Sequence, residues 1–473
     1  MEPAREKDLP RGLHPGQAPR ADARLPSSKS EAIRVLLCAS MARGTTRLTG
    51  HLVGADTSAA RAVVAALGAD LQDEGQALLL SGRPPLAAQP AAPWPPSLPL
   101  GESGTLGRLA MALCALCAPA AARTELVASG SLRGRPAGPL GRALTSAGAG
   151  LEYGPSGQWP RAVRACPAAP TQLRLEDPIS SQEVSALLLA LAALGGPRRL
   201  EVSGEIPSSP YVALTTSVLA RFGARLVEER PGRWSVEGPL VAPHQTQRLE
   251  DDASAAAVLL AGACLAEREL ILPGLGPDSI QGDRRIVEHL TAFGCRAGLA
   301  DSQNSARRGP DSPGRGARAC GAPLRGADLD LSGEPDLAPV LAAVAAAAAL
   351  GLAAAPAPSL LRGLGTLTIK ESDRLAVLAT GLRSLGLAIS ASGDSLSIAP
   401  GQHQGPLEAW RRGARPLTLD PHGDHRMAFA FALLGLVHPD LTVRDPNCVA
   451  KSWPDFWYQW TACSAPDYST SPS

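Results

Sequence analysis

The chain has 473 residues, too many for one ordinary core, so two or three domains are expected. Hydrophobic residues make up 45% and aromatics only 3%, which leaves most of the packing to Ala, Leu and Val. Lys and Arg number 45 against 44 Asp and Glu, a balance that argues against a general nucleic-acid or membrane-surface binder and leaves any anion site to a few placed cations.

Residues 1–24 mix Glu, Asp, Arg and Pro with no apolar core. They read as a disordered tail, not as a secretory signal or transit peptide. Three clusters of Ser, Thr and Gly then stand directly before apolar helical runs. They are Ser27-Ser28-Lys29-Ser30-Glu31, Gly101-Glu102-Ser103-Gly104-Thr105 and Ser180-Ser181-Gln182-Glu183. Ser28 and Glu31 have the spacing of a capping box. A helix start offers unpaired N–H groups and a positive dipole, which suit phosphate or carboxylate. A serine there is usually just a cap. Lys29, Arg34 and Arg108, however, lie within a turn of these starts, an unfavourable place for a cation unless an anion sits between.

Five helix-like segments end in a glycine-centred turn, at Gly68, Gly148, Gly223, Gly294 and Gly386, about 70–90 residues apart. The glycine suits a left-handed helix terminus. Strand-like segments follow, such as Arg225-Leu226-Val227 and Ala388-Ile389-Ser390. With a sixth unit after Gly386, the pattern suggests six α/β units in two pseudo-symmetric domains. Residues 301–321, rich in Arg, Gly, Ser and Pro, read as a solvated insertion. Cys114 and Cys117 fall inside an apolar run with no partner motif, which indicates a buried helix over a redox or zinc site. Residues 337–355 are mostly alanine and contain Pro339, again indicating a buried helix and not a membrane span. Nine scattered cysteines suit a reducing, cytoplasmic setting.

Further cations stand in short polar islands: Arg133 and Arg135 in Gly130-Ser131-Leu132-Arg133-Gly134-Arg135-Pro136; Lys370-Glu371-Ser372-Asp373-Arg374; Asp424-His425-Arg426-Met427; and Lys451. Singly, each reads as a solvated turn. Taken in order with the serine and glycine clusters, Ser208-Ser209-Pro210-Tyr211, Gln281-Gly282-Asp283 and Pro335-Asp336, they make a set that resembles the 5-enolpyruvylshikimate-3-phosphate synthases from Leu25 to about Trp460. The resemblance implies an α/β fold of two pseudo-symmetric domains, each of three βαβαββ units, the inside-out α/β barrel of the enolpyruvyl transferases. It places one domain at 28–249 and the other at 25–27 plus 250–462, with a tail at 463–473.

The resemblance also implies the activity: transfer of the enolpyruvyl group of phosphoenolpyruvate to the 5-hydroxyl of shikimate-3-phosphate, without metal or organic cofactor. A cytoplasmic monomer that binds no nucleic acid or membrane is expected. Lys29, Ser30, Arg34, Ser180, Ser181, Gln182, Ser208 and Tyr211 would hold shikimate-3-phosphate, with Asp336 and Lys370 on its ring. Lys29, Gly104, Arg135, Gln182, Arg374, Arg426 and Lys451 would hold phosphoenolpyruvate. Asp336 would take the hydroxyl proton and Glu371 would supply the methylene proton, assisted by Lys29. His425, beside Arg426, is given a supporting role. Glu102, Leu109 and Thr368 depart from the usual asparagine, proline and arginine. The sister transferase acting on UDP-N-acetylglucosamine carries a reactive cysteine in the loop corresponding to residues 130–136, and this loop has none.

Overall fold

The structure, a computed structural model, describes residues 7–8, 24–84, 93–154, 157–300, 316–352, 354–401 and 407–464. Contacts divide the chain into two compact units, Ser27–Glu250 and Met1–Pro26 with Asp251–Ser473.

The Ser27–Glu250 unit is built around helices that are apolar nearly all round. Lys29–Met41, Gly104–Leu116 and Ser181–Leu194 bury almost every residue, the behaviour of a helix surrounded by protein. Three four-stranded sheets accompany them, and two share one chain order. Ser97–Gly101 leads into helix Gly104–Leu116 and returns as the parallel strand Arg123–Ala128. An outer helix, Gly138–Ser146, then precedes the hairpin Gly150–Tyr153 and Pro160–Arg164, whose second strand adds antiparallel to Arg123–Ala128. Gln172–Glu176 to Arg233–Gly238 repeats this order around Ser181–Leu194. The third sheet, Thr45–Thr49 with Asp70–Glu74 and Ala77–Ser81, receives Gln247–Arg248 as its parallel strand from the far end of the unit.

The other unit repeats the plan. Ala253–Leu265, Ala338–Ala349 and His425–Leu434 are its buried helices. Its sheets have four, three and three strands, the last including the short strand Lys7–Asp8 against Leu441–Val443. That strand is the one departure seen within the expected N-terminal tail, which otherwise lies outside the described residues up to Arg24. All five turn glycines are left-handed, with φ of 92, 99, 80, 99 and 82° in chain order. Helix Ala338–Ala349 is wholly buried, and no helix among the described residues is long and apolar enough to cross a membrane.

The expected insertion at 301–321 needs correction at its C-terminal end. Gly316–Cys320 is the central strand of the three-stranded sheet, paired on both sides. Ala317 and Ala319 face the core while Arg318 is exposed, a period-2 pattern hidden by the short length and small residues. Residues 301–315 lie outside the described residues. Helix Phe456–Ser464 runs two residues into the expected C-terminal tail, and the rest of that tail is likewise outside. Cys114 and Cys117 are buried at the end of helix Gly104–Leu116. Burial pushes the Cys114 thiol up to about 12 and Cys117 higher still, so neither is a nucleophile.

Candidate active site

In the Ser27–Glu250 unit, the three serine-rich clusters are the starts of the three buried helices. Ser28, Ser103 and Ser180 each accept a backbone N–H of the first turn, from Glu31, Leu106 and Gln182. The capping box at Ser28 is only half made. The Ser28 N–H bonds the Glu250 carbonyl, and the Glu31 carboxylate binds Arg221 at 2.7 Å and the Glu250 N–H at 3.0 Å.

Lys29, Arg34, Arg108 and Arg135 project from or beside these starts. Lys29 Nζ lies 3.1 Å from the buried Asp56, a partner that sequence reading missed because it comes from the next helix. Arg34 is 1% exposed. It donates to the Thr215 hydroxyl (2.7 Å), the Ser30 carbonyl (2.8 Å), the Ser185 hydroxyl (3.3 Å) and the Tyr211 carbonyl (3.5 Å). It therefore fastens Ser30 and Tyr211 to one point while meeting neutral acceptors. Burial pulls its guanidinium down to about 10, which still leaves it charged at neutral pH. Arg108 is similar: its bonds go to Gly104 O, Pro136 O and Gln182 Oε1, and burial lowers it to about 10.

Gln182 also donates to Thr105, so the second and third helix starts are joined through its amide. The Ser181 N–H bonds the Pro207 carbonyl, and Ser208 turns the chain with a left-handed φ of 56° to place Tyr211. A Cβ on Gly104 would lie 2.6 Å from Arg135 Nη1 and 3.3 Å from Arg108 Nη1. Gly104 thus makes room for two guanidinium groups. The Glu102 carboxylate packs against Gly130, where a Cβ would overlap it.

In the other unit, four cations meet four carboxylates within the described residues. Arg374, 1% exposed, binds Asp424 (2.8 Å), Asp336 (2.8 Å) and Glu371 (2.7 Å). Lys370 lies 3.1 Å from Asp336, and Lys451 lies 2.9 Å from Glu371. Arg426 reaches Asp336 at 3.4 Å and Asp283 at 3.7 Å, and donates to Ser254 and to the Asp336 carbonyl. Helices starting at Arg374 and His425 are capped by Asp373 and Asp424, which fixes where Arg374 and Arg426 emerge. Burial would raise the Asp336 carboxyl, but Arg426, Lys370 and Arg374 hold it well below the usual range. Burial pushes Asp283 up to about 6, although Arg426 opposes the rise. The buried His425 packs edge-on against Phe429, 5.8 Å between ring centroids. Asp424 and Asp283 stand in motifs that carry no assigned role for them, and Ser254, which stands in none, joins the cluster only through folding.

Cations gathered at helix starts in one unit, and a balanced cluster of cations and carboxylates in the other, are groups suited to small polyanions. A profile of the EPSP synthase (3-phosphoshikimate 1-carboxyvinyltransferase) family matches residues 13–460. The chain belongs to the EPSP synthase family. A 3-phosphoshikimate 1-carboxyvinyltransferase of Methanosphaerula palustris is 34% identical over 435 residues, 91% of this chain and 94% of the relative. The enzyme of that name from Idiomarina loihiensis is 32% identical, covering 95% and 97%. Among solved structures, the EPSP synthase of Acinetobacter baumannii superposes with a TM-score of 0.71 at 22% identity, covering 96% of this chain and 97% of that one. The enolpyruvyl transferase NikO of Streptomyces tendae gives 0.69 at 17% identity, covering 98% of each. These two likenesses establish the α/β enolpyruvyl transferase fold.

Proposed function

We propose that the residues assembled above carry out an addition–elimination on phosphoenolpyruvate. The activity itself follows from family membership: the chain is an enzyme that moves the enolpyruvyl group of phosphoenolpyruvate onto shikimate-3-phosphate and releases phosphate. Lys29, Ser30, Arg34, Ser180, Ser181, Gln182, Ser208 and Tyr211 hold shikimate-3-phosphate, with Asp336 and Lys370 on its ring. Lys29, Gly104, Arg135, Gln182, Arg374, Arg426 and Lys451 hold phosphoenolpyruvate. Arginines offer its phosphate and carboxylate paired donors, and lysines add compact charge.

The enol methylene takes a proton from Glu371 while the 5-hydroxyl oxygen bonds to the adjacent carbon, its proton passing to Asp336. The resulting tetrahedral ketal phosphate then loses phosphate, which leaves with the proton held by Asp336, while the new methyl group returns a proton to Glu371 and the double bond is restored. Each carboxyl thus works once in each direction. The observation that carries this reading is the convergence of Lys370, Arg374, Arg426 and Lys451 on Asp336 and Glu371. When a substrate phosphate or carboxylate competes for those cations, the two carboxyls lose partners. Asp336, held low by the cations, then gains basicity where a base is needed. Developing charge on the ketal phosphate is met by the same cations. No step calls for a metal or organic cofactor, and we read the protein as a cytoplasmic monomer, in keeping with eight described cysteines that are free thiols.

Phosphate release measured with phosphoenolpyruvate and shikimate-3-phosphate tests the assignment. Lys29→Ala and Asp336→Ala should each lose most turnover, about a hundredfold or more, while staying folded. Retained turnover in either variant removes its assigned role.

A further inference from the structure

Several buried charges take no part in the reaction, and one of them stands close to Asp336 in the chain. Glu334 is fully buried, yet it is a carboxylate. Its Oε1 lies 2.7 Å from His289 Nε2 and 2.9 Å from Arg285 Nη1, and its Oε2 accepts from the same Nη1 at 3.1 Å. His289 is buried as well, whereas Arg285 is partly exposed and also binds Glu288 at 3.0 Å. Removing a carboxylate from water costs several kcal/mol, and an apolar side chain would fill the same space without that cost. A network of this kind therefore contributes most by fixing one geometry.

What it fixes can be read from the chain. Glu334 opens the single turn Pro335–Leu337, with its N–H on Leu331 O and its carbonyl accepting from Leu337. Pro335 has a locked φ, and Asp336 is the central residue of that turn. Anchoring Glu334 sets the direction in which Asp336 points. The anchor, Arg285 and His289, belongs to the segment that also carries the buried Asp283. Arg426 touches Asp283 and Asp336 together. The two segments are thus tied at one end by Glu334 with Arg285 and His289, and at the other by Arg426, in a closed ring of contacts.

We propose that Glu334, held by His289 and Arg285, is a positioning residue that aims Asp336 at the substrate hydroxyl. The proposal rests on the reading of Asp336 as the base. It concerns a side chain two residues away that the motif Pro335-Asp336 did not include.

The experiment is a double-mutant cycle read by phosphate release, with single turnovers under excess enzyme so that slow variants still register. Glu334→Gln should lower kcat about tenfold while KM for phosphoenolpyruvate stays within about twofold, because a misaimed base slows the chemistry and leaves the cations that bind this substrate in place. In an Asp336→Asn background the same change should have no further effect on the rate. Arg285→Met, at a more exposed position, should show a smaller loss of the same kind, about threefold, and supplies the test if Glu334→Gln does not fold. Unchanged kcat in both variants overturns the proposal. So does an equal loss with Asp336 and without it, or a loss that merely follows the folded fraction in a thermal melt. Near-wild-type turnover in Asp336→Asn alone removes the base itself, a failure visible without the cycle.

Discussion

Asp424 offers a severe test of how the cation cluster is held. Its carboxylate is fully buried and accepts Arg374 Nε at 2.8 Å, Arg374 Nη2 at 3.3 Å and the Ser372 hydroxyl at 3.2 Å. The same group caps helix His425–Leu434 by accepting the Arg426 N–H at 2.9 Å. Asp424→Asn keeps an oxygen for the cap and removes the charge. Breaking a buried ion pair costs about 3–5 kcal/mol when the remaining charge is left alone. Here Arg374 keeps Asp336 and Glu371, so the expected loss is smaller, about 2–3 kcal/mol. Asp424→Ala should lose about 1 kcal/mol more, the worth of the cap. Urea unfolding followed by circular dichroism and by tryptophan fluorescence would read both values. Loosening Arg374 should also raise KM for phosphoenolpyruvate, about tenfold if one charged hydrogen bond is lost. The reasoning fails if the Asn variant is as stable as wild type and binds phosphoenolpyruvate equally well. Equal stability of the Asn and Ala variants would refute the capping part alone.

Gly104→Ala would set a methyl 2.6 Å from Arg135 Nη1, so the guanidinium must move. KM for phosphoenolpyruvate should rise about tenfold with little change in thermal stability, as kinetics beside a thermal melt would show. Asp283 gives a pH signature. Its folded value of about 6 lies above the ordinary 3.8, so the folded state holds the proton more tightly. Stability from this group is full below pH about 4 and is lost as pH rises towards 6, by up to about 3 kcal/mol. Asp283→Asn should flatten that slope in melts recorded across this range, and an unchanged slope would contradict the assignment. Asp336 acts in the opposite sense. Its contribution is present above pH about 4 and lost on further acidification.

Much of this fold is legible without coordinates because it is written in local signals. The five left-handed glycines stand where helix geometry requires them, and each serine cluster does cap a buried helix. The long alanine run reads correctly as an interior helix since nothing polar interrupts it. Residues 316–320 escaped notice because five small residues beside a polar segment carry almost no periodic signal, yet pairing on both sides makes them a central strand. For the site, the cations and the carboxylates Asp336 and Glu371 were visible in short islands, but which group pairs with which was not. Asp56, Asp283 and Glu334 reach Lys29, Arg426 and Arg285 across separate segments, and no spacing rule connects such pairs. Gly104 shows the same limit, since its purpose is set by arginines 4 and 31 positions later in the chain.

The caps of the interior helices differ in kind between the two halves of the chain. Serine at positions 28, 103 and 180 is uncharged, so each dipole keeps its full pull on a visiting oxyanion. In the other half, aspartate at positions 252 and 424 spends that pull on itself, while the third helix, Ala338–Ala349, has no side-chain cap. One half can therefore greet a phosphate with main-chain amides, whose strength no proton or lysine modification alters. At those two aspartate-capped starts its duplicate must rely on side-chain charge, which salt and acidity should disturb first.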